Sequence, residues 1–181
     1  MIYSLELHTV ALFVGVLLIL SHGVALSFSR EVREALKYFP RSRPAGVILL
    51  SIAAIWFFWI VKTMDLGEFS SWRNTMLIFI PVWAIATILW VEEFLAVRAL
   101  GILLLLGAEP LIESAFLKPD VLRYFVNLLA YAWAILGLFW VGMPYLLRDQ
   151  IAWVSKTDLR WKLACLGGIA YGVLLVALVF V

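Results

Sequence analysis

The chain has 181 residues, 65% of them hydrophobic and 14% charged, with a mean hydropathy of +1.05. A soluble domain runs at about 45–50% apolar and about 25% charged, so these residues cannot dress a water-soluble monomer in polar surface, and a disordered chain is excluded too. The net charge of +2 is too small a basic excess to imply nucleic-acid binding. The one cysteine, Cys165, rules out an internal disulfide and a cysteine-based zinc site.

The composition predicts an all-α, polytopic transmembrane helix bundle. A span needs about 20 apolar residues, so six spans use nearly all of residues 1–181 and leave no room among them for a soluble catalytic domain. The first expected span is 7–28. Glu6 is the fixed charge before its apolar run, and a basic n-region is lacking, so the segment reads as a membrane helix rather than a signal peptide. Segment 29–43 follows. Val32, Ala35, Leu36 and Phe39 share one helical face, and Arg30, Arg33, Glu34 and Lys37 take the other. This is an amphipathic cytoplasmic segment in which Arg30, Arg33, Lys37, Arg41 and Arg43 are placed to meet lipid headgroups.

The next spans are 44–64, 75–91, 94–117, 121–147 and 161–181. Pro44 suits a first helical turn, and Lys118-Pro119-Asp120 is a turn signal. Between the third and fourth spans neither Gly nor Pro lies between Pro81 and Gly101. The runner-up therefore carries the third helix on to Arg98, turns at Gly101, and leaves five spans plus a re-entrant segment. Charge favours six: ten of the fourteen Lys and Arg then fall on one side, and the positive-inside rule puts both termini outside. The corresponding location is a bacterial inner (plasma) membrane. Trp56, Trp59, Trp72, Trp153 and Trp161 lie near span ends or in connections, as interfacial anchors do.

The fourth span carries the strongest candidates for chemistry. Arg98, Ile102, Leu105, Glu109 and Glu113 form one helical stripe. Glu109 and Glu113 are one turn apart and can converge on a proton or cation, while Arg98 lies about three turns from Glu109. Pro110 removes a backbone donor beside Glu109. In the next span Asn127 and Tyr131, one turn apart, offer interhelical hydrogen bonds or a polar path beside Glu109. Glu92, Glu93 and Arg98 resemble the first motif of the CAAX-type intramembrane proteases. Four residues separate Glu93 from Arg98 where that family has three, and the sequence holds no histidine after His22, so the metal-assisted mechanism has no parts. The expectation is a protein that is not an enzyme and binds no metal.

His8 and His22 stand fourteen residues apart on one stripe of the first span. That spacing resembles the helix of cytochrome b-type proteins that ligates a haem in each leaflet, and implies axial ligation of haem or of a chlorophyll-type pigment if a second helix supplies the matching ligands. Gly168 and Gly172 form a GxxxG pattern suited to close helix packing, within the chain or with a second copy. Three functions follow from these residues. The leading one is a structural, assembly or accessory subunit of a membrane complex, with other membrane subunits or a second copy as partner. The others are a small oligomeric channel or ion-coupled transporter centred on Glu109, and a haem- or pigment-binding subunit.

Overall fold

A computed structural model describes residues 2–91 and 93–180. Within them the chain is all-helical. It forms α1 (Leu7–Ser27), α2 (Ser29–Tyr38), α3 (Arg43–Thr63), α4 (Arg73–Trp90), α5 (Leu95–Ala115), α6 (Leu122–Gly142), α7 (Tyr145–Ser155) and α8 (Asp158–Val179). Short 3-10 turns at Phe39–Arg41 and Gly67–Trp72 precede α3 and α4. Six helices are long and apolar enough to cross a membrane: α1, α3, α4 with the turn before it, α5, α6 and α8. Twenty-one residues, the length of α1, α3, α5 and α6, rise about 31 Å, against a hydrocarbon core of about 30 Å. The protein is a polytopic membrane protein.

The turn that lacked a sequence signal falls between α4 and α5, and the re-entrant alternative gives way to it. α4 ends at Trp90, Val91 is extended, and Phe94 takes the left-handed conformation (φ 56°) just before α5. A left-handed Phe is uncommon, and neither glycine nor proline marks the place. Glu92 lies outside the described residues. Gly101, the alternative turn, is instead buried in the middle of α5, where the backbone of α6 approaches. Residues 121–147 do not form one span. Met143 leaves the helical region at the end of α6, Pro144 follows, and the chain restarts as α7, a short amphipathic helix. The connection expected at 148–160 is thus largely helical. α8 begins at Asp158, with the Thr157 hydroxyl accepting from the Arg160 N–H as an N-cap.

α5 is the central helix. It packs against α6 on one side and α3 on another, and it also touches α1. α1 and α8 form a second close pair, and α4 leans chiefly on α3, with no buried residue of its own. Between apolar helices in lipid, association rests on close van der Waals packing rather than on the hydrophobic effect. The tight crossings accordingly fall on glycine. A methyl group added at Gly172 would sit 2.7 Å from the Gly15 carbonyl, and one at Gly101 would sit 2.8 Å from the Gly137 carbonyl. The GxxxG pattern of α8 is therefore spent inside the chain, on α1. Leu7, Val14, Leu111, Val126 and Leu175 form a core shared by α1, α5, α6 and α8.

The basic connections gather at one end, where α2 packs against α7. Arg33 does not reach out to solvent there. Its side chain is 18% exposed, bonds Asp158 at 2.7 Å, and lies over the Trp161 ring at 4.9 Å. Trp161 is not a surface anchor either: it is buried, and its indole N–H donates to the Ala25 carbonyl at 3.0 Å. Arg30, Lys37, Arg41 and Arg43 remain exposed.

Candidate functional site

Charged side chains within or beside spans need a partner or a path to water, and three arginines find theirs at helix ends. The last carbonyls of a helix lack intrahelical donors and carry the negative end of its dipole. Arg73 donates to the Lys62 carbonyl at 3.0 Å and the Met64 carbonyl at 2.8 Å, closing the end of α3. Arg123 bonds the Lys118 carbonyl just past α5. Arg98, in the first turn of α5, donates from Nη1 to the Val141 carbonyl at 3.0 Å, in the last turn of α6. Its Nε is buried with no hydrogen-bond partner.

Glu113, at the other end of α5, is held by the segment that leads into α1. The backbone N–H groups of Ile2, Tyr3 and Ser4 donate to its carboxylate at 2.9, 3.1 and 3.3 Å. Tyr3 is fixed in turn by α3: the Trp56 indole N–H donates to its hydroxyl at 2.7 Å, and its ring lies 5.5 Å from that of Trp59. Burial raises the Tyr3 phenol above its ordinary value, against the bond from Trp56. The leading segment thus straps α3 to α5. Charge-assisted bonds of this kind are about twice as strong as neutral ones. Nothing in the sequence signals the strap, because a short Ile-Tyr-Ser stretch before a helix carries no pairing signal.

Glu109 is different. It is half-buried and enters none of the hydrogen bonds or ion pairs formed among the described residues. It lines two clefts at once. One, of about 540 Å³, lies toward the strap and includes Ile2, Glu113 and Phe116. The other, of about 740 Å³, runs between α3, α4, α5 and α6 to Arg98 and Val141, with Phe57, Phe79 and Trp83 in its wall. The stripe Arg98, Ile102, Leu105 and Glu109 expected from the sequence is the α5 face of this second cleft. Pro110 sits inside α5 without ending it, and leaves the Leu106 carbonyl without its helical donor, one turn from Glu109.

The remaining sequence candidates lie elsewhere. Asn127 and Tyr131 line neither cleft; Tyr131 is exposed, and the Asn127 Oδ1 is buried without a partner. His8 is exposed on α1. His22 is half-buried, its Nδ1 2.9 Å from the Leu18 carbonyl of its own helix and its ring packed over Gly168 of α8. Neither histidine lines a cleft with Glu109. Among the described residues no three His, Cys, Asp or Glu side chains come together as a metal site.

No family model, curated protein or solved structure matches the chain.

Proposed function

We propose that the protein is a small channel or ion-coupled carrier of a bacterial inner membrane that binds a proton or cation at Glu109. The observation that carries this reading is the position of Glu109 where two clefts meet, one leading to each end of α5, with no internal partner for its carboxylate. A carboxylate in hydrocarbon is costly unless it serves a path or a pair, and Glu113 and Arg98 are already engaged by backbone groups. The positive-inside rule then makes the end carrying α2 and α7 the cytoplasmic one.

The test is flux. Purified protein reconstituted in vesicles with a trapped pH indicator should dissipate an imposed proton gradient, or a sodium or potassium gradient read with the matching dye. Glu109→Gln should lose the activity while keeping the fold. Vesicles that hold every gradient, or a Glu109→Gln protein that conducts like the parent, remove the proposal.

One observation favours the alternative of an accessory subunit in a larger membrane complex. α4 contributes no buried residue, yet presents Ile78, Phe79, Val82 and Trp83 on its surface. Purification from native membranes at mild detergent decides it. A partner at fixed stoichiometry, lost when Ile78 and Val82 are replaced by bulky Trp, supports the subunit reading.

A further inference from the structure

We infer that the larger cleft is a seat for one anionic phospholipid, its phosphate on Arg98 and an acyl chain running along α5 toward Glu109. This goes beyond the ion-binding reading: with the lipid seated, the larger cleft is closed to ions and the smaller one is the open route to Glu109.

Three observations define the occupant. The first is length. Arg98 and Glu109 are eleven residues apart on one face of an unbroken helix, about 16 Å, and one leaflet of a core about 30 Å thick spans about 15 Å. Arg98 lies in the first turn of α5, the end on the headgroup side in the proposal, and the cleft runs from there to Glu109. The second is chemistry. Arg98 lines the cleft, and its guanidinium has five N–H donors; Nη1 meets the Val141 carbonyl, and among the described residues no carboxylate pairs with the charge. A cation lining an apolar cleft in a membrane protein calls for a partner, and a phosphate oxygen is the one to which a guanidinium is best matched. The third is access. The wall between the cleft and surrounding lipid is α4, which is held by α3 and has no buried residue. The lining beyond Arg98 is almost wholly apolar, through Ala53, Ala54, Phe57, Phe79 and Trp83, which suits an acyl chain and not a water-soluble anion. The volume of about 740 Å³ is in the range of sites that enclose a bound molecule.

The probe is a phospholipid with a brominated acyl chain, whose bromines quench nearby indoles. The full chain, stripped of lipid in detergent, is titrated with brominated phosphatidylglycerol. The Trp83 signal is isolated as the difference between the parent and Trp83→Phe. Saturable quenching of Trp83 is expected, with brominated diacylglycerol, which has no phosphate, binding about tenfold or more weakly. Arg98→Gln should bring phosphatidylglycerol down to the diacylglycerol level, and Arg98→Lys should keep part of the difference. Because Arg98 also holds α6, Ala54→Phe is the second variant: it fills the cleft with Arg98 intact and should abolish saturable quenching. Equal affinity for the two lipids, a folded Arg98→Gln protein that binds phosphatidylglycerol like the parent, or unchanged binding by Ala54→Phe overturns the assignment. So does quenching relieved by self-association, which would make a second copy the occupant. Lipid binding is read without a gradient, so its failure is distinct from a failure of ion flux.

Discussion

Replacing Gly101 by Ala tests whether the α5–α6 crossing sets the geometry of the site. The added Cβ would lie 2.8 Å from the Gly137 carbonyl oxygen, 3.0 Å from Val141 Cγ2 and 3.1 Å from the Val141 nitrogen. Carbon–oxygen contacts between packed helices settle at about 3.3–3.6 Å, so the shortfall is about 0.5–0.8 Å. Two of the three obstructing atoms are backbone and cannot swing aside, so the helices themselves must part. Overpacking of this kind costs about 1–3 kcal/mol, a factor of about 5 to 150 in the unfolding equilibrium, and in a chain of this length lowers the melting temperature by about 2–4 °C per kcal/mol. Gly167→Ala is the internal control, since nothing stands within 4 Å of its Cβ position; it should melt with the parent or slightly above it. Gly137 faces Gly101 in the same crossing, where its Cβ would lie 2.7 Å from the Gly101 carbonyl. The double substitution should therefore cost less than the two singles together, because the first already separates the helices. Melts in one detergent, followed by intrinsic fluorescence and by circular dichroism, read the parent and all four variants. A Gly101→Ala protein that melts with Gly167→Ala refutes the close crossing and the placement of Arg98 that depends on it.

Glu113→Gln should release the strap: hydrogen exchange at the amides of Ile2, Tyr3 and Ser4 rises about 5- to 30-fold, corresponding to about 1–2 kcal/mol after allowance for partial exposure, while exchange in α8 stays unchanged. Arg73→Ala should uncap α3 and cost about 0.5–2 kcal/mol in the same melts, with faster exchange confined to the last turn of α3. The Tyr3 phenol, raised by burial, binds its proton more tightly folded than unfolded, so its contribution to stability is full below the unfolded value of about 10 and is lost as pH rises through the folded value. Absorbance at 295 nm should show a tyrosine titrating above the ordinary range in the parent whose contribution is missing in Tyr3→Phe.

The sequence made the spans legible because in lipid every backbone polar group must be satisfied within its own helix, which leaves long apolar runs as an unavoidable signature. It did not make the end of the fifth span legible. Residues 121–147 are apolar almost throughout, and only Met143-Pro144 breaks them, at the point where the chain leaves α6 and restarts as α7. The charge stripe of α5 was readable because it needs only a period of 3.6. The partners of its members were not, since they are backbone groups: the Val141 carbonyl for Arg98 and three amides for Glu113. Backbone partners leave no residue-type signal. Trp161 and Arg33 make the same point at the basic end, where composition suggested surface roles and the fold turns both inward onto each other.

The three charged groups of α5 can now be separated by what each stabilises. Arg98 and Glu113 each close a backbone end, so neutralising either should weaken the fold. Glu109 closes nothing, and a charged side chain within a membrane helix is costly, up to about 2.5–3.5 kcal/mol at the helix centre on insertion scales and less toward its ends. Glu109→Gln should therefore be at least as stable as the parent, while Glu113→Gln is less so. If Glu109 served only packing, its replacement would lower the melting temperature and leave transport as it was. If it is the ion-binding group, the melting temperature holds or rises and flux is lost. That opposition of stability and activity is the usual mark of a group retained for function. Measuring melt and flux on the same two purified variants reads both halves, and a Glu109→Gln protein that melts well below the parent defeats the argument whatever its flux.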